Sequence, residues 1–313
     1  MTTTPAQRRI GFLGPHGTFG EEALLTQSDY AEADARPFPS HAEIITATER
    51  GEVDLGFLGF ENSIEGSVRS VLDHLIFETD LLIQREVVLP ISQNLLAPPG
   101  TALGDVRRIV SFPDAMEQCR EFFSRSLPDA ELVAANSTAE AVQSVAAERP
   151  AGTAALGTAL AARLYGLEVL AAGVEDHPDN STRFVSVARS GIPAPTGHDK
   201  TSIVLFQASD RPGNLHLISA QFAARDINLT KFESRPTKKS LGDYCFIIDF
   251  SGHVADEIVA DCLRTLRADI GNVKFLGSYP AAGEAGEAIR REAEANWKAA
   301  DEWVGGLRGQ VGR

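Results

Sequence analysis

The chain has 313 residues, of which 43% are hydrophobic and 23% charged, and its formal net charge at pH 7 is −14. A chain of this length makes about two typical domains and buries a core without disulfide or metal staples. The acidic balance and the lack of a Lys/Arg-rich run exclude a nucleic-acid-binding surface, and no apolar stretch is long enough to cross a bilayer. The polar start of the sequence, MTTTPAQRR, and three widely spaced cysteines (Cys119, Cys245 and Cys262) predict a protein of the reducing cytoplasm.

Short β-type segments alternate with segments of helical spacing as far as Arg189. The predicted strands span residues 9–13, 54–60, 82–89, 107–112, 132–135, 153–156 and 183–188. Strands that alternate with helices are typical of parallel or mixed sheets covered on both faces. In such sheets, ligands bind at the carboxyl ends of the strands, where helix N-termini point into a crevice. The sequence therefore predicts an α/β region with its site at the strand ends.

Three predicted helices begin with the capping box S/T-x-x-E, in which side chains satisfy free backbone N–H groups. The pairs are Thr18 with Glu21, Ser40 with Glu43, and Ser137 with Glu140. Ordinary capping explains most of these pairs. The helix at Thr18 also suggests an anion site, because it follows a strand and the turn Gly14-Pro15-His16-Gly17. A tight turn without a ligand is the alternative, and the segment matches neither a P-loop nor a dinucleotide fingerprint.

A second polar segment, Glu61 to Ser67, follows the predicted strand 54–60. A carboxylate (Glu61), an amide (Asn62) and a hydroxyl (Ser63) stand side by side at the end of a buried strand. These groups either cap the next helix or form part of a pocket floor.

A third polar segment, from Asp179 to Thr182, leads through Arg183 into the predicted strand 183–188. A threonine that opens a strand is common and by itself does not indicate catalysis. Arg183 is more informative, because a guanidinium forms bidentate pairs with carboxylates and an acidic protein needs such a group for an anionic substrate. His177 is the histidine near this segment, and a solvated loop histidine explains it.

The rest of the chain predicts a separate small domain. Residues 191–200, GIPAPTGHDK, contain two prolines and two glycines and predict a linker. Strand, helix, strand, strand, helix and strand then follow at residues 202–208, 214–225, 227–234, 244–250, 256–267 and 273–278. This βαββαβ order is the ferredoxin-like arrangement. An apolar face that includes Trp297 and Trp303 predicts a helical tail within 281–313, docked on the body or on a neighbouring subunit.

Within the small domain, Gly213-Asn214-Leu215 lies at a helix start and Glu233-Ser234-Arg235 at a strand end. An exposed pair of Glu233 and Arg235 would by itself contribute little energy. None of the seven histidines belongs to a metal-spaced pair, and no G-x-S-x-G elbow is present. We therefore expect neither a metal nor another cofactor.

Taken in order, GPHGTF, ENSIEGSV, NSTRF ahead of a strand, and a region with GNL and ESRP resemble prephenate dehydratase with a C-terminal ACT regulatory domain. The resemblance covers about residues 8–280. It implies decarboxylative dehydration of prephenate to phenylpyruvate, the penultimate step to phenylalanine. It also implies an α/β catalytic domain at 8–190, made of two subdomains like those of periplasmic binding proteins. The second subdomain is inserted at about 86–168, the active site lies in the cleft between the two, and the ACT domain follows at 201–280.

The sequence departs from the family pattern at two places. Leu58-Gly59-Phe60 stands where the family usually has Val-Pro-Ile, and Ser111-Phe112-Pro113-Asp114 stands where it usually has Ser-His-Pro-Gln. The second departure removes a histidine and a glutamine from the second subdomain. Gln118 and Cys119 match the later Gln-Cys of the family.

The resemblance implies roles for several residues. Thr182 is the expected proton donor, and Glu61 is our alternative, because a threonine hydroxyl is a poor acid whereas burial tunes a carboxylic acid toward neutral pH. Arg183 is expected to hold a substrate carboxylate together with the helix start at Thr18, and Phe184 to exclude water. The residues expected to bind substrate are Gly17, Thr18, Asn62, Ser63, Ser111 and Gln118.

ACT domains commonly pair side by side and bind an amino acid at the shared interface. The resemblance therefore implies a homodimer or a homotetramer, with phenylalanine as the allosteric ligand. A helix N-terminus suits the carboxylate of this ligand, and a strand end with a carboxylate suits its ammonium. The residues expected at this site are Gly213, Asn214, Leu215, Glu233, Ser234 and Arg235.

Two other functions fit the sequence. Arogenate dehydratase differs from prephenate dehydratase in an amino group on the substrate side chain. A non-catalytic amino-acid sensor with a solute-binding-like cleft is the other alternative, and the two altered motifs are its support.

Overall fold

A computed structural model describes residues 7–207, 212–238, 242–282, 303, 304 and 306. The chain divides into two compact units. The first comprises residues up to 74 together with 87–187, and the second comprises 75–86 together with the chain from 188 onward. Across the described residues, no helix is both long and apolar enough to cross a membrane.

The first unit contains two mixed sheets with helices packed on them. Its strands are β1 (Arg9–Leu13), β2 (Asp34–Phe38), β3 (Leu55–Asn62), β4 (Gly66–Ser67), β5 (Leu82–Pro90, which starts in the other unit), β6 (Asn94–Ala97), β7 (Arg108–Ser111), β8 (Glu131–Ala134), β9 (Thr153–Gly157), β10 (Glu168–Ala171) and β11 (Ser181–Ala188). Its α-helices are α1 (Phe19–Leu25), α2 (Ser28–Ala31), α3 (His41–Arg50), α4 (Arg69–Asp73), α5 (Pro113–Glu117), α6 (Arg120–Ser126), α7 (Thr138–Glu148) and α8 (Ala159–Tyr165).

The first sheet has the order β2-β1-β3-β11-β5, with β4 paired to β3, and the second has the order β10-β6-β9-β7-β8. In the first sheet β1 runs parallel to β2 and β3, whereas β11 runs antiparallel to β3. All strands of the second sheet come from the chain between β5 and β11. The two-sheet α/β architecture confirms the predicted fold class.

Sequence patterns account for these elements. The apolar run of β3, including Phe57 and Leu58, is buried because β3 lies between β1 and β11 and contacts α1, α3 and α4. The hydroxyls of Thr18, Ser40 and Ser137 each accept the backbone N–H of the glutamate three residues later, as the capping boxes predict. The core of the second sheet includes several alanines, such as Ala97 and Ala154, which allow close packing.

The second unit contains β12 (Asp199–Gln207), α9 (Asn214–Ala223), β13 (Leu229–Pro236), β14 (Tyr244–Ser251), α10 (Glu257–Thr265) and β15 (Gly271–Pro280). Its antiparallel sheet has the order β13-β14-β12-β15, which confirms the ferredoxin-like βαββαβ prediction. Ile218 and Phe222 of α9 and Val259 and Cys262 of α10 share one core with apolar residues of the sheet. β12 begins at Asp199, inside the predicted linker. Trp297 lies outside the described residues and Trp303 is 68% exposed, so docking of the tail stays a prediction.

Candidate active site

A cleft with a volume of ≈ 410 Å³ lies in the first unit and is lined by residues that flank both of its sheets. On the side of the first sheet the lining includes Leu13, Gly14, Thr18, Phe19, Gly20, His41, Phe57, Gly59, Asn62, Glu65, Val68, Asn180, Thr182 and Phe184. From the rest of the unit come Ile91, Gln93, Phe112, Asp114, Ala115, Gln118, Asn136, Ser137 and Thr138. The expected binding or catalytic residues Thr18, Asn62, Gln118, Thr182 and Phe184 therefore meet in one cavity.

The pairing of β3 with β11 decides which side chains face this cleft. Thr182 lies opposite Asn62, and Arg183 lies opposite Glu61. Successive side chains on a strand point to opposite faces of the sheet, so Thr182 and Asn62 share the cleft face. Phe184 returns to that face, where its ring stacks on Phe57 at a centroid distance of 5.5 Å. This stacked pair forms an apolar wall of the cleft.

The orientation of the Asn62 side chain is fixed by its hydrogen bonds. Its Oδ1 accepts the backbone N–H groups of Ile64 (2.9 Å) and Glu65 (3.0 Å). Its Nδ2 therefore faces β11, where it donates to Oγ1 of Thr182 at 2.9 Å. Since Oγ1 of Thr182 accepts this bond, the hydroxyl hydrogen of Thr182 is free to point to another acceptor. Thr182 is therefore a cleft residue whose O–H group is able to donate to a ligand.

Asn180 extends this network toward the second sheet. The side chain is 2% exposed, and its Oδ1 accepts from Nδ2 of Asn62 at 2.8 Å and from Oγ of Ser63 at 3.3 Å. Nδ2 of Asn180 donates to Oε1 of Gln118 at 3.2 Å, and Nε2 of Gln118 donates to Glu65 at 3.3 Å. Ser63 thus supports the network without lining the cleft, and Asn180 is a cleft residue that the sequence reasoning did not assign.

Arg183 and Glu61 lie on the other face of the sheet. Arg183 is 8% exposed, its guanidinium lies 4.7 Å from the ring centroid of Phe60, and its Nη1 is 3.4 Å from Oε2 of Glu61. Neither residue lines the cleft. Arg183 and Glu61 therefore lie on the side of the sheet that faces away from the cleft. This position does not support the predicted role of Arg183 as a carboxylate clamp or that of Glu61 as the alternative proton donor.

Gly14 and Thr18, at the turn before α1, line the cleft, whereas Gly17 does not line it and packs against α8. Thr18 caps α1 and donates its hydroxyl hydrogen to the Leu13 carbonyl at 3.0 Å. Gly17 has a left-handed φ of 88°, and its carbonyl accepts the Thr158 hydroxyl at 2.9 Å. A Cβ at Gly17 would lie 2.8 Å from Cβ of Ala161 in α8. Glycine at this position thus allows close packing of the turn on α8.

The altered motif at the start of α5 places Phe112 and Asp114 in the cleft lining. Ser111, which was expected to bind substrate, is fully buried and does not line the cleft. Its hydroxyl has no hydrogen-bond partner among the described residues. The two positions at which this chain differs from the usual family motif are therefore the ones that reach the cavity.

Two further cleft residues were not predicted from the sequence. His41 is the first residue of α3, next to the capping Ser40, and burial with the nearby His74 lowers the pKa of its imidazole to about 4. Gln93 is 3% exposed, and its Oε1 has no hydrogen-bond partner within the described part of the chain. The capping box before His41 was visible in the sequence, but its relation to the cleft depends on the fold.

In the second unit, the six residues expected to bind phenylalanine divide between two faces. Gly213 has a left-handed φ of 87° at the start of α9, and Leu215 is 53% exposed. Ser234 pairs with Phe246, which packs with α9 and α10, so its side chain lies on the helix face of the sheet. Glu233 and Arg235 alternate to the opposite face, where Glu233 pairs with Lys231 at 3.1 Å. Asn214 donates to Gln207 at 2.9 Å.

Metal-ligating side chains do not cluster in groups of three or more in the ranges that the structure describes. The lining of the candidate site offers hydroxyl, amide, carboxylate, imidazole and aromatic groups, a set suited to a small organic molecule.

A cleft between two α/β sheets with a hydroxyl donor in its lining is typical of an enzyme that acts on a small molecule, and comparison with known proteins gives the family. The family model described as prephenate dehydratase matches residues 10–191. A prephenate dehydratase of Mycolicibacterium vanbaalenii is 43% identical over 293 residues, which cover 89% of this chain and 93% of the relative. The chain belongs to the prephenate dehydratase family, whose named members are lyases.

Solved structures that cover most of this chain have a similar fold. A prephenate dehydratase of Arthrobacter aurescens in complex with L-Phe has a TM-score of 0.86 and 38% identity, and the match covers 96% of this chain and 99% of that one. GqqA, described as a quorum quenching acylase, has a TM-score of 0.78 and 30% identity, with 88% and 98% covered. The scaffold thus also occurs in a protein that is described by another activity.

Proposed function

We propose that this chain converts prephenate to phenylpyruvate in the cleft of its first unit, with Thr182 as the hydrogen-bond donor to the departing hydroxyl group. The observation that carries the proposal is the hydrogen bond from Asn62 to Thr182, which leaves the Thr182 hydrogen available to a ligand. Comparison with the family supports the reaction, and the residue roles are our own assignment.

The reaction requires few groups of the protein. The ring carboxylate of prephenate leaves as CO₂, the electron pair of the broken C–C bond enters the ring, and hydroxide leaves from the opposite carbon and becomes water with one proton. Aromaticity drives the step. A positioned donor contributes about 10²- to 10⁴-fold in such reactions. Because a threonine hydroxyl is a weak acid, Thr182 stabilises the developing charge by a hydrogen bond, and solvent completes the proton transfer.

The neighbours of Thr182 make its hydroxyl a better donor. A hydroxyl that accepts a hydrogen bond is polarised, so donation from Asn62 strengthens donation by Thr182. Phe57 and Phe184 offer an apolar surface for the substrate ring and limit the entry of water. The N-terminus of α7 at Ser137 and Thr138 supplies hydroxyls and backbone N–H groups for the substrate carboxylates.

Turnover tests the proposal. Purified protein mixed with prephenate is expected to generate the ultraviolet absorbance of phenylpyruvate in alkali. Thr182→Ala serves as the control for contaminating activity and for the acid lability of the substrate. The absence of turnover at high protein concentration would favour a non-catalytic sensor, and so overturn the proposal.

We also propose that residues 201–280 form an ACT domain that binds phenylalanine and lowers the activity of the cleft. The L-Phe complex of the Arthrobacter relative supports the choice of ligand. The left-handed Gly213 and exposed Leu215 at the start of α9 suit the carboxylate and phenyl group. β13 is an edge strand with Phe232 41% exposed, so a homodimer or homotetramer that pairs these edges is our proposed assembly. The free, buried cysteines support a cytoplasmic setting.

Calorimetric titration of phenylalanine into the full chain tests the regulatory site. Saturable binding to the wild type and its loss in Gly213→Val, together with loss of inhibition, are expected. Linkage requires that substrate weaken phenylalanine binding by the same factor as phenylalanine weakens substrate binding. Undiminished inhibition of Gly213→Val would place the effect of phenylalanine elsewhere.

A further inference from the structure

Gln93 lies between β5 and β6, and hydrogen bonds hold its backbone on both sides. Its N–H group donates to Oε2 of Glu175 at 2.8 Å, and its carbonyl accepts the N–H group of Val174 at 2.9 Å. The residue is 3% exposed and lines the cleft of the first unit. These backbone bonds therefore fix the point on the cleft wall from which the Gln93 side chain starts.

The side-chain amide of Gln93 differs from the other carboxamides of the cleft lining. Within the described residues, its Oε1 is buried and accepts no hydrogen bond, and its Nε2 donates none. The NH₂ groups of the other four carboxamides each donate to another side chain, and they belong to Asn62, Gln118, Asn136 and Asn180. The amide of Gln93 is thus the one in the described lining that protein groups do not engage.

A buried amide without a protein partner suits a ligand. Nearly all buried polar groups in native proteins are paired, because a polar group that leaves water without a partner costs free energy. The two ends of an amide have the same shape, and no described protein group fixes which end of the Gln93 amide faces the cavity. Gln93 can therefore turn its N–H donors toward a ligand oxygen without breaking a hydrogen bond of the described chain.

The charges of the cleft indicate which ligand group the amide meets. The charged side chains of the described lining are Glu65 and Asp114, and this lining contains no arginine or lysine. The pKa of His41 is about 4, so its imidazole is neutral near pH 7. The proposed substrate carries two carboxylates, which neutral N–H and O–H groups must hold in this cavity. A hydrogen bond to an ionised carboxylate is stronger than one to a neutral oxygen.

Of the two substrate carboxylates, the one on the pyruvyl side chain is the better partner for such a donor. The ring carboxylate leaves as CO₂, so its charge disappears during the reaction. A donor held on the ring carboxylate would stabilise the substrate more than the transition state, and this would slow the chemical step. The side-chain carboxylate keeps its charge from substrate to product, so a hydrogen bond to it strengthens binding without opposing the reaction.

We propose that Gln93 is a substrate-binding residue whose side-chain amide donates a hydrogen bond to the pyruvyl carboxylate. The inference rests on the proposed dehydratase function and adds a contact that lies outside the sequence motifs. Because phenylpyruvate retains this carboxylate, Gln93 is expected to bind substrate and product alike. A hydrogen bond to a charged group contributes about ten- to a hundredfold in affinity, and an interaction equal in ground state and transition state affects KM rather than kcat.

Gln93→Met tests the contact, since it keeps the length of the side chain and removes its hydrogen-bonding atoms. We expect KM for prephenate and the inhibition constant of phenylpyruvate, as a competitor of prephenate, each to rise about ten- to a hundredfold, with kcat within about threefold of the wild type. The midpoint of thermal unfolding should stay the same or rise by a few degrees, because an apolar group replaces a buried amide that lacks a partner.

Gln84→Met is the matched control, because it makes the same substitution on β5 outside the cleft lining. Nε2 of Gln84 donates to the carbonyl of Gly191 at 2.9 Å. We expect this control to leave both KM for prephenate and the inhibition constant of phenylpyruvate unchanged. Gln93→Glu replaces the donor by a carboxylate and should raise KM further than Gln93→Met does, because like charges repel.

Each other result overturns the inference. Unchanged KM in Gln93→Met, with or without a lower midpoint of unfolding, would show that the amide serves the fold or binds water only. A rise in KM without a rise in the inhibition constant, or a wild type that phenylpyruvate does not inhibit, would remove the pyruvyl carboxylate as its partner. Equal shifts in Gln84→Met would show that the effect is not specific to the cleft.

These outcomes leave the proposed function standing, whereas absence of prephenate turnover by the wild type would overturn the proposed function and this inference together. Melting curves identify a variant that does not fold. If Gln93→Met does not fold, Gln93→Leu repeats the test with a shorter apolar side chain, and the same shifts in KM and in the inhibition constant are expected.

Discussion

Asn62 and Thr182 lie opposite each other on two antiparallel strands, and the Asn62 amide donates a 2.9 Å hydrogen bond to the Thr182 hydroxyl. The direction of this bond is settled, because the amide oxygen is held by two backbone N–H groups of the following turn. The 120 residues that separate the pair in the chain are bridged by sheet pairing alone. Local sequence rules could not place these two side chains together.

The first prediction concerns the hydroxyl itself. Thr182→Ala is expected to lower kcat at least about a hundredfold and to leave KM within a few-fold, because the lost hydrogen bond forms chiefly in the transition state. Thr182→Ser keeps the hydroxyl and should retain much of the activity. Steady-state kinetics with prephenate measure both effects. Near-normal kcat in Thr182→Ala would remove Thr182 from the mechanism.

A second prediction separates the acceptor bonds of Asn62 from its donor bonds. In Asn62→Asp, the carboxylate still accepts the backbone N–H groups of Ile64 and Glu65, but it has no hydrogen to donate to Thr182 or to Asn180. We expect kcat to fall about ten- to a hundredfold, with the midpoint of thermal unfolding changed by only a few degrees. Kinetics and a melting curve on the same preparation test this. A large loss of stability with normal kcat would contradict the donor role.

Substitution of Arg183 is expected to lower the stability of the fold rather than to weaken substrate binding. Arg183→Met removes the guanidinium from its partly buried pair with Glu61 and from the face of Phe60, and we expect a loss of about 3 kcal/mol in the free energy of unfolding. The double variant with Glu61→Gln should lose less than the sum of the two single variants. Urea unfolding measures these values. An increase in KM with unchanged stability would restore the clamp hypothesis.

The lowered pKa of His41 predicts that the stability of the fold depends on pH. Its pKa is about 4 in the folded chain and about 6.5 when unfolded, so the unfolded state binds the proton more readily between these values. Stability therefore falls as the pH drops from 6.5 toward 4, by about 2 kcal/mol from this group between pH 7 and pH 5. Urea unfolding of the wild type and of His41→Gln at both pH values tests this. Equal pH dependence in the two proteins would contradict it.

The sequence predicted the alternation of strands and helices because apolar runs and capping boxes are local signals. β2, which contains Arg36 and Pro37, was missed, since a short polar edge strand carries little apolar pattern. The lining of the cleft was predicted in part. Period-two alternation from Thr182 was enough to expect Arg183 on the other face, whereas the presence of His41 and Gln93 in the cleft depends on how distant elements pack.

The residues Thr182-Arg183-Phe184 are consecutive in the chain but lie in two environments. Thr182 and Phe184 line the cleft, whereas Arg183 is buried on the opposite face of the sheet. A slip of β11 by one residue against β3 would turn the arginine into the cavity and bury the threonine hydroxyl. Insertions or deletions of one residue near this strand should thus abolish activity more often than substitutions in it do. We therefore expect the alignment of β11 with β3 to affect activity as directly as the identity of residue 182 does.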